Sequence, residues 1–283
     1  MKKTIDIVNP AIGIATTTKD SRKLTIMDIV HYYIAHDNSS NAVKYRITMW
    51  SEMNEIKAYY DECVNNVSGH YTIEEIVRMC VRGLYTTGHQ KRVKEDSIKK
   101  AVSNIMKGQF TDYLNGKKIQ LVKGKKFYSK FVDFEELYEA VRQLIGNVNG
   151  IGFVTIYDTA RRIGYLLNEP IFPIAYVYLH YNKVNAAASS IYNRKFKYRE
   201  PSLTFACEFK CLPSICIEDL LCIYAHVFID KVIEETDEDG TVKKFAKTNW
   251  KNKRLSDFWK EENIKKENSY NNMSQRWKEF SKR

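Results

Sequence analysis

Residues Gly146 to Gly152 separate two amphipathic helical patterns, and so short a link constrains the fold more than any other feature of the chain. The first pattern, DFEELYEAVRQLI, opens with Asp133 at an N-cap position and Glu136 three residues on, the spacing of a capping box. Phe134, Leu137, Val141, Leu144 and Ile145 fall on one face, and Gly146 stands where a C-terminal cap belongs. The second pattern runs from about Phe153 to Leu166. Two helices joined this tightly must double back on one another. Between them lies Gly150-Ile151-Gly152, with Thr155 three residues on. One reading is a turn needed for packing alone. The other is a backbone surface that grips phosphate.

Physical chemistry favours the grip. The first turn of a helix has unpaired N–H groups and carries a partial positive charge. Glycine lets an anion approach the main chain, because no Cβ stands in the way. Amides near Gly150, Gly152 and Val154 can therefore donate to phosphate oxygens. Ile151 fastens the hairpin to its own helices, Thr155 caps or contacts phosphate, and Arg161 and Arg162 add charge further along. Such contacts hold nucleic acid without reading its sequence, and affinity should fall steeply with salt.

This arrangement resembles the helix-hairpin-helix family of DNA-binding motifs. The family pattern is hydrophobic-x-Gly-hydrophobic-Gly with Thr or Ser three residues later, here Val148, Gly150, Ile151, Gly152 and Thr155. Ala160 and Ile163 match the small and apolar positions of its second helix. A longer stretch, about Asp133 to Phe228, looks like an uncharacterised bacterial family. That family shares Gly-Ile-Gly, Tyr-Asp-x-Ala (Tyr157, Asp158, Ala160), Arg-Ile-Gly (Arg162 to Gly164) and Val-Tyr-Leu-His (Val177 to His180). The resemblance implies a phosphate-binding segment from Asn149 to Thr155. It reaches distantly to DNA glycosylases of the endonuclease III type, but their catalytic residues do not match. Val154 stands where a catalytic lysine would be, and Tyr178 where a catalytic aspartate would be.

Charge points the same way. The net charge is +11, and the excess is concentrated. Residues 91–130 hold 12 Lys/Arg against 3 Asp/Glu, and residues 241–283 hold 13 against 5. Such a distribution is a candidate polyanion footprint, or else a solvated lysine-rich surface. Within the first segment, YLNGKKIQLVKGKKFYSKF carries Asn115-Gly116 and Lys123-Gly124 between short apolar alternations, which predicts a small basic β-hairpin. Its Lys117, Lys118, Lys123, Lys125 and Lys126 would extend the footprint.

The rest of the chain reads as helical. TIMDIVHYYIAH (25–36), about 43–67, TIEEIVRMCVRGLY with Thr72 and Glu75 as a capping box, and KEDSIKKAVSNIMK all show helical spacing. NEPIFPIAYVYLH should be extended, NKVNAAASSIYN a short helix, and 203–210 a loop or short strand. LPSICIEDLLCIYAHVFIDKVIEE reads as one long helix from about Ser214. The expected class is mainly α, a multi-helix protein with a helix-hairpin-helix motif and a small β-hairpin. Expected segments are an arm (1–23), a helical domain ending in the basic hairpin (24–130), the helix-hairpin-helix domain (131–240) and a basic aromatic tail (241–283). In that tail Trp250, Phe258, Trp259, Trp277 and Phe280 interleave with lysines, able to stack on bases or to dock a terminal helix.

No apolar run is long enough to span a membrane, and no signal peptide is evident, so a cytoplasmic protein of bacterial or phage type is expected. The cysteines then read as thiols. Cys207, Cys211, Cys216 and Cys222 cluster, yet lack the tight Cys-x-x-Cys spacing of an iron–sulfur site. No metal and no cofactor is expected. The sequence therefore predicts a DNA-binding protein, with duplex expected over single strand. The alternatives are a DNA-processing enzyme, glycosylase-like or a nuclease, with no placed active site, and a phage or defence interaction protein in which the hairpin only packs.

Overall fold

Stripes of apolar residues at helical spacing need to be covered, and the computed structural model buries them. The structure describes residues 22–37, 49–65, 69–84, 93–180, 182–209, 212–236 and 240–265. In chain order the elements are α1 (Ile26–His36), α2 (Met49–Asn65), α3 (Ile73–Arg82), α4 (Glu95–Lys107), β1 (Gln109–Thr111), β2 (Lys118–Gln120), β3 (Val122–Lys123), β4 (Lys126–Phe127), α5 (Phe134–Ile145) and α6 (Phe153–Leu166). Then follow β5 (Tyr176–Tyr178), α7 (Asn182–Tyr192), β6 (Arg199–Pro201), α8 (Ala206–Phe209), α9 (Ser214–Ile223), α10 (Ala225–Phe228), β7 (Ile229–Thr236), β8 (Gly240–Lys247) and α11 (255–265). The protein is mainly α, with antiparallel two-stranded pairs β1–β2, β3–β4, β5–β6 and β7–β8.

The chain forms two compact units, one of residues 1–48 and 249–283, the other of residues 49–248. In the first, the Thr25 side chain and Asp28 form a reciprocal capping box that starts α1. The Leu24 amide donates to Lys253 O at 2.8 Å, joining the two chain segments of this unit. The Tyr32 ring meets the buried Phe258 edge-on at 5.3 Å, and its hydroxyl donates to Asn263 at 2.9 Å. Phe258 and Trp250 are thus buried residues rather than exposed stacking surfaces. Trp277 and Phe280 lie outside the described residues.

In the second unit one core runs from Ile56 in α2 to Tyr178 in β5, through α3, α4, the small strands, α5 and α6. The capping boxes do their work locally. Thr72 accepts from the Glu75 amide while Glu75 takes the Thr72 amide. Asp133 accepts from the Glu136 amide, but the Glu136 carboxylate takes the Val132 amide instead of that of Asp133. Helices α5 and α6 pack closely at Gly164, where a Cβ would lie 2.6 Å from the Ile171 carbonyl and 3.2 Å from Leu137.

The predicted basic hairpin is two successive ones. Asp112 organises the first, accepting from the amides of Leu114 (2.9 Å) and Asn115 (3.2 Å), and Gly116 adopts φ +62°. Gly124, at φ +61°, turns the second.

Two readings of the sequence change. The helix expected from Ser214 ends at Ile223, and after the single turn of α10 the chain becomes β7, paired over its whole length with β8. Pairing with β8 outweighs the weak helical pattern of Ile229–Thr236. Residues 203–209, expected as loop or strand, belong to a 3₁₀ turn (Ser202–Phe205) followed by α8. The helix expected over 43–67 is seen over Met49–Asn65 as α2; residues 43–48, 66 and 67 lie outside the described residues.

Candidate nucleic-acid interface

The link between α5 and α6 is a closed turn. The Val148 amide donates to Ile145 O and the Ile151 amide to Val148 O, each at 3.0 Å. Val148 and Ile151 are buried and pin the turn to the core, as the sequence suggests for Ile151. Asn149, Gly150, Gly152 and Phe153 are exposed. From outside the turn, the Ser97 hydroxyl on the first turn of α4 donates to Asn149 O at 2.6 Å. Exposed Lys94 and Lys100 lie three residues either side of Ser97, on neighbouring positions of the same helix face.

The two glycines differ in their reasons. Gly150 sits at φ +84°, where side chains are strained. Its missing Cβ would also come 3.3 Å from Ser97 Oγ. A tight turn alone accounts for Gly150. Gly152 is different: its φ is −101°, and an added Cβ would meet nothing within 4 Å. It is the N-cap of α6, a position where Ser, Thr, Asp or Asn would ordinarily satisfy the helix amides. Gly152 offers no such group. Among the described residues, the amides of Gly152, Phe153 and Val154 make no hydrogen bond; the first helical bond runs from Ile156 N to Gly152 O. Packing does not require this glycine, and the cap it forms is open.

The other predicted site residues divide. Val154 is half-buried and Thr155 is buried, with its carbonyl accepting from the Thr159 hydroxyl at 2.6 Å. The Thr155 side chain therefore neither caps α6 nor stands on the surface. Arg161 and Arg162 are also buried. Arg162 pairs with Glu52 at 3.0 Å and donates to Cys80 O at 3.0 Å. Arg161 pairs with Asp158 at 3.1 Å. Burial works against the Arg161 charge, but Asp158, Tyr157, Glu218 and Asp219 together raise its pKa above the ordinary value. These arginines hold the interior together, and the surface reading loses them.

All five lysines of the hairpins are exposed. Lys118 pairs across from Thr111, whose amide donates to Gln143 near the end of α5, so Lys117 and Lys118 stand at the α5 end that enters the turn. Lys123, Lys125 and Lys126 sit elsewhere. Their hairpin is anchored where the Phe127 amide donates to the Tyr60 hydroxyl on α2, and Lys125 borders a small cleft with Glu62, Cys63, Gly69 and Tyr71. None of those contacts involves the 146–152 turn.

Two features escaped the sequence reading. One is Ser97, whose partner lies 52 residues away. The other is the segment Arg194-Lys195-Phe196-Lys197-Tyr198-Arg199, whose alternation of cations and aromatics was a legible signal. The Tyr198 ring lies stacked on Phe153, centroids 5.9 Å apart and planes at 19°. Phe153 is the first residue of α6, so the stack borders the open amides directly.

Tyr178 is buried, and its hydroxyl lies 3.4 Å from Glu135. Neither it nor Val154 supplies glycosylase chemistry. On α9, Glu218 is buried within the electrostatic reach of Arg161, Asp219 and Asp158; burial pushes its carboxyl up to about 8. Cys207 is exposed, Cys216 buried and Cys222 half-buried, while Cys211 lies outside the described residues. Among the described residues no three His, Cys, Asp or Glu side chains are grouped to hold a metal, and no helix is long and apolar enough to cross a membrane. Comparison with known proteins finds no matching family model, no matching curated protein and no matching solved structure.

Proposed function

We propose that this protein binds DNA through its phosphate backbone, using the α5–α6 turn as a sequence-independent clamp. The observation that carries the reading is the cap at Gly152: an exposed N-cap glycine that packing does not require, next to amides without acceptors. An anion there would satisfy those amides and the positive end of α6 together. Lys117, Lys118, Lys94 and Lys100 would supply the surrounding positive field, and the chain's charge of +11 favours a polyanionic partner. Asn149 and Gly150 shape the turn, and Val148 and Ile151 hold it down.

The test is a salt titration of binding to duplex DNA, followed by fluorescence anisotropy of a labelled oligonucleotide. The logarithm of the binding constant should fall linearly with the logarithm of salt concentration, by about 0.9 per phosphate neutralised. Absence of binding at low salt to duplex and to single-stranded DNA alike, or affinity indifferent to salt, would remove the reading. It would leave the interaction-protein alternative, in which the turn only packs.

A further inference from the structure

Phe153 is 56% exposed and Tyr198 48% exposed, yet the two rings are stacked on each other. Large apolar surface in water is unfavourable, and a pair of neighbouring rings concentrates it at one place. The pair is also held firmly. After α7, Asn193 takes a left-handed conformation at φ +54° and reverses the chain. Asn185 Nδ2 then donates to the carbonyls of Phe196 (3.2 Å) and Lys197 (3.1 Å). Phe196 stacks on the buried Phe205 at 5.6 Å, and the Leu179 amide donates to Tyr198 O at 2.6 Å. Phe153 is fixed by the start of α6. A hydrophobic pair that merely escaped burial would not need both partners anchored in this way.

The charge around the rings selects the ligand. Arg194, Lys195, Lys197 and Arg199 stand against Glu200 alone in the segment 194–200. The Arg199 guanidinium lies 5.9 Å from the Tyr198 ring and 4.4 Å from that of Tyr176. Arg142, on the last turn of α5, is taken up by Glu139 through two contacts of 2.6 Å and is not one of these cations. Planar aromatic surface set among cations, beside amides open to an anion, matches a nucleotide with its base unpaired. The phosphate suits the amides and cations, and the base suits the rings. A base inside an intact duplex offers its faces only to its neighbours, so duplex alone leaves these rings without a ligand.

We infer that the Phe153–Tyr198 pair is a base-stacking platform, and that this site takes unpaired nucleotides of a single strand or a strand end. The inference rests on the phosphate-clamp reading and narrows its substrate. It replaces the duplex partner expected from the sequence with nucleic acid in which at least one base is free.

The experiment compares three labelled probes on the full chain: a thymidine single strand, an abasic strand with the same number of phosphates, and a blunt duplex. The thymidine strand should bind at least about fivefold more tightly than the abasic strand, the lower end of what one base–aromatic stack contributes. The double variant Phe153→Ala/Tyr198→Ala should erase that difference and keep the salt dependence of the abasic strand. Both rings are exposed, and an unchanged circular dichroism spectrum confirms that the variant is folded. Equal affinity for the thymidine and abasic strands, or a difference that survives in the double variant, overturns the platform while leaving the phosphate clamp standing. No binding to any of the three probes overturns both.

Discussion

The Ser97 hydroxyl donates to the Asn149 carbonyl at 2.6 Å, so the exposed turn between α5 and α6 is positioned by a third helix. The same helix meets the end of α5 through Asn104 Nδ2, which donates to Leu144 O at 2.9 Å. The path from Leu144 to Asn149 is thereby fastened at both ends to one rigid element. A clamp that works by preorganised amides needs such support, because ordering a loose loop on binding costs affinity.

Removing this tether should be felt in both stability and binding. Ser97→Ala deletes one hydrogen bond at a half-buried position and should cost about 1 kcal/mol in urea denaturation. It should also weaken DNA binding measured by anisotropy, without changing the salt slope, because no phosphate contact is removed. An unchanged affinity would mean the turn holds its shape unaided.

The buried pair of Arg162 and Glu52 predicts the opposite pattern. Glu52→Ala strands the Arg162 charge in the interior and should destabilise the fold by about 3–5 kcal/mol. Arg162→Gln should likewise lower stability, yet leave the salt dependence of binding intact in the folded fraction. A shallower slope in that variant would show Arg162 reaching phosphate after all.

These residues also show where the sequence was legible and where it was not. The capping box of Thr72 and Glu75 and the helices on either side of Gly146–Gly152 are local patterns, written in residues three or four apart. The Asp158–Arg161 pair is legible for the same reason. Nothing near Arg162 says that its partner lies 110 residues away on α2, so two adjacent arginines read as surface charge. Ser97 is opaque for the same reason. The strands β7 and β8 were missed because Ile229–Thr236 continues an apolar pattern from α9, and only its pairing with Gly240–Lys247 decides the conformation. The aromatic–cation alternation at 194–199 was open to view. Its meaning depends on Phe153, which the fold brings to it.

The glycines offer a contrast within three residues. Gly150→Ala must adopt φ near +84° and press toward Ser97, and it should lose more than about 1 kcal/mol. Gly152→Ala meets open space at an ordinary φ and should lose less than about 1 kcal/mol. Urea midpoints of the two variants, measured side by side, check this order.

Glu218 predicts a pH dependence. Its carboxyl is raised from 4.5 to about 8 by burial, against the pull of Arg161. The folded chain therefore holds a proton that the unfolded chain releases above the ordinary carboxylate range. Stability from this group falls as pH rises from that range toward about 8, and levels off beyond it. Glu218→Gln keeps the neutral shape and should flatten that decline. Denaturation of both proteins at about pH 5 and about pH 8.5 reads the difference, which should exceed about 1 kcal/mol.

The most direct measurement of the clamp is the affinity of Gly152→Glu for DNA at low salt. Its side chain enters open space and a carboxylate suits a helix N-terminus, so the variant should fold with unchanged or slightly higher stability. The same carboxylate would occupy the place of the phosphate and repel its neighbours. Binding should weaken by at least about tenfold relative to the unsubstituted chain. A folded Gly152→Glu protein that binds as tightly as its parent would contradict the account.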